Sequence, residues 1–271
     1  MKPVTHGSSN VASAADKVEG HPVLQNGARA GYALNGVLHL MIAWIALQIA
    51  WTASGKSADQ SGALQTVAGS SLGRLALWVA VLGFLALGLW QLASAVAVRT
   101  RGKSSQWADK VKGISKAVVY LALAWTSFNF ATGQPSSSKA QSADFTATLL
   151  QHPGGRLLVA VIGLVIIGIG GYHVVKGWTK KFLTDLSENP GMLATRAGVI
   201  GYIAKGIALA LVGVLFVTAA AQNSASKATG IDGALRSLRQ QAFGPWLLTA
   251  VGLGIAAYGV YSFARARHAR V

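Results

Sequence analysis

Six near-continuous apolar stretches, separated by polar segments, organise this chain. They run approximately from Gly31 to Trp51, Leu75 to Val98, Gly113 to Ala131, Leu157 to Val175, Ala197 to Ala221 and Pro245 to Phe263. A helix needs about 20 apolar residues to cross the hydrocarbon core of a bilayer, where an unpaired backbone group is too costly for any open structure. The pattern therefore predicts an all-α polytopic membrane protein with six transmembrane helices. Pro3, Pro22, Pro135, Pro153, Pro190 and Pro245 all fall in tails, in connections or at the first turn of a span, so the spans should lack proline kinks.

The polar connections reveal an internal repeat, which fixes an architecture more firmly than any single motif. Lys56-Ser-Ala-Asp-Gln-Ser-Gly62-Ala63-Leu64 matches Lys227-Ala-Thr-Gly-Ile-Asp-Gly233-Ala234-Leu235, and Gln141-Ser-Ala-Asp-Phe145 is a degenerate middle copy. Each copy reaches a glycine nine residues on, at Gly73, Gly154 and Gly244. The even spans share a glycine pair, Gly83 with Gly88, Gly163 with Gly168 and Gly254 with Gly259, as expected where helix backbones approach closely in lipid. In the odd spans Asn35, Lys116 and Lys205 fall at equivalent places. Ile231, Leu235, Leu238 and Ala242 recur at helical spacing opposite Arg236 and Arg239, so the loops should hold short amphipathic helices lying in the outer interface. The units are a disordered tail at 1–28, two-helix repeats at 29–98, 107–178 and 194–265 arranged as three pseudo-symmetric hairpins, and a basic tail at 266–271.

These features resemble a family of bacterial membrane proteins built from a two-helix unit of about seventy residues repeated three times, catalogued as a domain of unknown function. The resemblance covers about residues 28 to 265. It is carried by Arg29-Ala-Gly-Tyr32 leading into the first span, and by the Gly-Ala-Leu and Phe243-Gly244 elements of the loops. The middle copy departs from the pattern, with Ala-Asp-Phe in place of Gly-Ala-Leu. Membership implies fold and membrane location, and carries over no activity, substrate or catalytic residue.

Composition agrees: 52% of the 271 residues are hydrophobic and only 12% charged. A net charge of +16 would suggest nucleic acid in a soluble domain, but here its distribution points to a membrane surface and no nucleic acid is expected as partner. Basic residues crowd the N-terminal tail, the 99–112 and 176–196 connections and the C-terminal tail, whereas the other three connections carry fewer. The positive-inside rule then puts both termini in the cytoplasm of a bacterial inner membrane.

No sequence pattern for a nucleophile with its base, a zincin, a Walker loop or a dinucleotide fold occurs, and with Cys absent thiolate chemistry is excluded. The spans hold no carboxylate, which argues against a carboxylate proton relay. No catalytic residue, cofactor or metal is expected. His39 and His173 could pair on a haem only at different depths, and a hydrogen-bonded packing role suits them better. Asp59, Asp144 and Asp232 read as loop charges or helix caps. The sharpest polar positions are Asn35, Lys116 and Lys205, with His39 beside them. A Lys at mid-span costs roughly 2.5 to 3.5 kcal/mol on insertion scales, so it should be paired, snorkelling or facing a pathway. The expected role is a non-catalytic component packing against membrane-protein partners in the bilayer. The alternative is a transporter or channel for a small solute or anion along a pseudo-threefold axis.

Overall fold

The computed structural model describes residues 22–52, 55–97, 103–134 and 137–270. Nine α-helices are found among the described residues: α1 (Pro22–Trp51), α2 (Gln60–Ala68), α3 (Ser71–Ala97), α4 (Lys103–Ala131), α5 (Ser138–Leu150), α6 (Gly155–Trp178), α7 (Met192–Ala221), α8 (Gly230–Arg239) and α9 (Gly244–His268). Each repeat is thus a long helix, a short one and a second long one. Residues 22–28, expected in the tail, already belong to α1, and 1–21 lie outside the described residues. The expected basic tail at 266–271 likewise begins inside α9.

Five long helices, α1, α3, α6, α7 and α9, are long and apolar enough to cross a membrane. The chain is a multi-pass membrane protein. The exception, α4, has the length at 29 residues, but Lys110, Lys112 and Lys116 interrupt its first half. Pro245 sits in the first turn of α9, where the missing N–H costs nothing.

The long helices do not pack mainly as hairpins. The most extensive contacts join each odd helix to the even helix of the preceding repeat: α4 to α3, α7 to α6, and α1 round to α9. Contacts inside a repeat are thinner for α1 with α3 and for α7 with α9. Among the described residues α4 and α6, the long helices of the second repeat, make no extended contact with each other. The spatial order is therefore α4, α3, α1, α9, α7, α6, an arc whose two ends both come from the middle repeat.

Glycine makes these crossings close. A Cβ on Gly36 of α1 would come 2.9 Å from the Gly259 carbonyl of α9, and one on Gly170 of α6 would come 2.6 Å from that of Gly206 on α7. No side chain fits at such separations, so the backbones gain contact that a larger residue would forbid. Gly168, by contrast, has nothing within 4 Å.

The short helices cap one end of the arc and join all three repeats. Asp232 of α8 accepts from the Ala58 amide at 2.8 Å and pairs with Arg236 at 3.0 Å, while Arg236 also donates to the Lys56 carbonyl at 2.6 Å. Ser61 accepts from the Ser138 amide at 3.3 Å, tying the first repeat to the second. Asp59 caps α2 through the Gly62 amide. The apolar face of α8, with Ala234 and Leu235 buried, turns toward the bundle. The tight turn into each descending helix requires glycine at Gly73, Gly155 and Gly244, where a Cβ would strike the carbonyl of Val67, Leu149 or Arg239. In the middle copy the equivalent residue is thus Gly155, one place later than the loop spacing suggests. Beneath this cap, Leu38, Ile42, Leu77, Phe84, Phe130 and Leu248 fill the adjoining half of the arc with a continuous apolar core.

Candidate functional site

The other half, next to the chain termini, is polar. Lys176 ends α6, and the chain then turns through the 3-10 segment Lys181–Asp185, which brings Asp185 back against it. Lys176 Nζ stands 2.6 Å from Asp185 Oδ2, and Arg265 of α9 reaches the same oxygen at 3.9 Å. Burial pushes the Asp185 carboxyl up, but Arg265 and Lys176 outweigh it and hold the group below the ordinary carboxylate range.

Arg265 is 8% exposed. Its guanidinium lies 4.3 Å over the Tyr32 ring and donates to the Tyr32 hydroxyl at 3.4 Å, which also accepts from Gln91 at 3.2 Å. Arg265 Nε has no hydrogen-bond partner among the described residues. Buried guanidinium donors are costly to leave unmade. A cluster of aromatic rings surrounds these charges: Phe182 stacks on Tyr202 at 5.2 Å, and Tyr202 meets Tyr258 at 5.3 Å and Tyr261 at 5.6 Å. The turn is held in place by an isolated bridge between Leu186 and Ala269, by the Ser187 amide donating to the His268 carbonyl at 2.8 Å and by Tyr261 donating to the Phe182 carbonyl at 3.3 Å.

The four polar positions singled out from the sequence border this region. Lys205 of α7 holds its ammonium 4.1 Å over the Tyr258 ring. His39 of α1 packs on the same ring at 4.7 Å, its Nδ1 donating to the Asn35 carbonyl at 2.8 Å, and it lies within electrostatic reach of Lys205. Asn35 is buried on α1. Lys116 of α4 lies within electrostatic reach of Arg265, Asp185 and Lys176. His173 bonds its own helix at the Ile169 carbonyl, 2.8 Å away. Neither Lys116 nor Lys205 has a carboxylate partner among the described residues, and both remain partly exposed.

Three cations, Lys116, Lys176 and Arg265, therefore act on one carboxylate, Asp185, and Lys205 joins them at Tyr258, which Arg265 and Lys176 also reach electrostatically. Cations that converge away from water attract negative charge strongly, because low-dielectric walls concentrate the field. Sequence reasoning missed Lys176 and Arg265 because they counted only as basic residues in the orientation argument, and passed over Asp185 because it lies in a connection. The signal that could have found them is the spacing Tyr258, Tyr261 and Arg265 on one face of α9, opposite Tyr32 and Tyr202 at equivalent places in two odd helices.

Three consecutive segments, residues 30–97, 111–180 and 200–269, match the family described as Domain of Unknown Function (DUF1206). The chain is also similar to the "Uncharacterized protein YxxB" of Bacillus subtilis (strain 168), 27% identical over 253 residues that cover 91% of each chain. No solved structure matches.

Proposed function

This chain belongs to the DUF1206 family, and we propose that it is a membrane protein that binds an anionic solute in the polar half of its arc and acts as its carrier or channel. What supports the proposal is the excess of cations over carboxylates here: among the described residues Lys116, Lys176 and Arg265 share Asp185, and Lys205 stands beside them on Tyr258. The protein lies in a bacterial cytoplasmic membrane with both termini inside, α4 serves as a sixth crossing, and the polar half opens to the cytoplasmic leaflet. Support for that orientation is the crowding of Lys and Arg at the same end as the cluster. Asn35, Lys116, Lys205 and His39 border the binding region, with Lys116 and Lys205 as cations that form no ion pair among the described residues. Anion flux into proteoliposomes, measured for wild type and for Lys116→Met with Lys205→Met, tests the proposal. Flux that is absent from the wild type, or unchanged in the double variant, overturns it.

A second reading makes the protein a non-catalytic component that packs against membrane-protein partners. What favours it is α6, where only 17% of the most apolar stretch is buried and where Gly168 and Gly171 leave open space that a neighbouring helix would fit. A stable stoichiometric partner co-purifying in mild detergent, and lost with Gly168→Leu, supports this reading.

A further inference from the structure

The cation cluster is closed along the arc's axis in both directions. Toward the short-helix cap, the apolar core of Leu38, Ile42, Phe84 and Leu248 fills the interior. Toward the termini, the Lys181–Asp185 turn lies under Tyr202, Tyr258 and Tyr261, with Phe182 fully buried against them. The side between α4 and α6 is different, since these helices leave each other uncovered while both border the cluster, through Lys116 and Lys176.

The helical positions say what that side is made of. On α4, Gly113 meets Ala95 and Leu121 meets Gly88, so α3 covers that face. Lys116 and Tyr120 come next round the helix at about 100° per residue, and Val119 and Thr126 next again, away from α3. On α6, Gly163 and Gly170 face α7, and Ile169 and Val165 lie well round from them. Val119, Ile169 and Val165 are exposed at 57%, 44% and 55%. Apolar residues thus flank the opening at membrane depth, and partly exposed ammonium groups lie behind it.

We infer that the anion held by this cluster is a membrane amphiphile, with an anionic phospholipid as the class, whose headgroup enters sideways between α4 and α6 while its chains remain along Val119 and Ile169. The headgroup phosphate satisfies Lys116 and Lys205, and comes within range of Arg265, whose Nε is buried with no hydrogen-bond partner among the described residues. The charges match, since among the described residues neither Lys116 nor Lys205 forms an ion pair with a carboxylate. A water-borne ion would need an axial route that the apolar core and the turn obstruct. The inference rests on the anion-binding reading and names its ligand class.

Delipidated full-length protein in mild detergent would be titrated with phosphatidylglycerol, with phosphatidylcholine of the same chains and with inorganic phosphate, following retention by native mass spectrometry and thermal midpoint together. The expected result is retention of phosphatidylglycerol and a raised midpoint, neither of which phosphatidylcholine or inorganic phosphate produces. Lys116→Met with Lys205→Met should weaken that retention by about tenfold or more, the worth of one charge-assisted hydrogen bond. Inorganic phosphate acting as well as the lipid overturns the inference and leaves the anion reading intact, whereas no effect from either anion sinks both. Equal retention by the double variant marks the lipid as annular and overturns the inference. If the double variant fails to fold, a photoreactive residue at Val119 should capture phosphatidylglycerol in preference to phosphatidylcholine, and one at the exposed Leu82 of α3 should show no preference. Indifference at Val119 overturns the inference.

Discussion

Lys205 on α7 and Tyr258 on α9 are joined face-on, the ammonium 4.1 Å above the ring, across the contact between the two long helices of the third repeat. A cation set against an aromatic face is stabilised without a counter-charge, by about 0.5 to 2 kcal/mol depending on desolvation. That arrangement leaves Lys205 stable in the empty protein and still uncompensated toward an incoming anion. It also separates a binding role from a structural one.

The binding role predicts that Lys205→Met keeps the thermal midpoint within a few degrees of wild type, the apolar replacement being welcome on Tyr258, while anion flux or binding is lost. Melting in detergent and flux in proteoliposomes, read on the same preparation, check this. A mutant that melts far earlier, from a wild type without measurable flux, leaves Lys205 as a structural strut.

Asp185 carries a pH dependence with a definite sign. Its folded carboxyl is held below the ordinary value, so the unfolded chain binds the proton more readily and stability rises with pH across that window. The contribution is complete above about pH 5 and is lost as pH falls through the ordinary carboxylate value near 4 toward the depressed one. Thermal melts of wild type should show this loss, and Asp185→Asn should flatten that part of the profile. Removing the carboxylate from Lys176 and Arg265 should also cost roughly 3 to 5 kcal/mol at neutral pH, as breaking a buried pair does.

The glycine crossings give a prediction independent of charge. Gly36→Leu and Gly170→Leu should each lower stability by at least the 1 to 3 kcal/mol typical of overpacking, because their Cβ atoms meet backbone carbonyls. Gly168→Leu, with open space around it, should be tolerated by the isolated chain. Thermal melts of the three variants decide it, and equal tolerance at Gly36 would contradict the close approach of α1 to α9.

Orientation is checked by labelling. Cysteine introduced at the exposed Ser226 should react with an impermeant thiol reagent in intact cells, and cysteine at Ser187 should react only after the cells are opened. Labelling of Ser187 in sealed cells reverses the topology and moves the cation cluster to the outer leaflet.

The fold class was legible because lipid imposes it. Long apolar runs such as Ala197 to Ala221 have no alternative to a helix, and Gly233-Ala234-Leu235 repeats Gly62-Ala63-Leu64 closely enough to reveal the copies. Asp59 was readable as a helix cap for a local reason, since it bonds an amide three residues ahead. The site was half legible. Lys116 and Lys205 stand out because charge inside a span is expensive, whereas Asp185 lies in a connection and enters the cluster only through the turn after α6. Partner choice between helices left no periodic signal: Gly36 finds Gly259 across almost the whole chain, and the exposed Val119 and Ile169 carry the same residue types as a packed face.

The packing of α1 on α9 bears on how the protein is made. During synthesis α1 is made before the other described helices, and its most extensive partner, α9, after them. Until α9 arrives, the face around Gly36 has only lipid or another nascent helix to lean on. Contacts so distant in sequence form slowly. Quality control in the membrane would accordingly see an unfinished protein until the ninth helix arrives. A chain cut short before Gly244 loses one span, and with it the seam that joins the first repeat to the third.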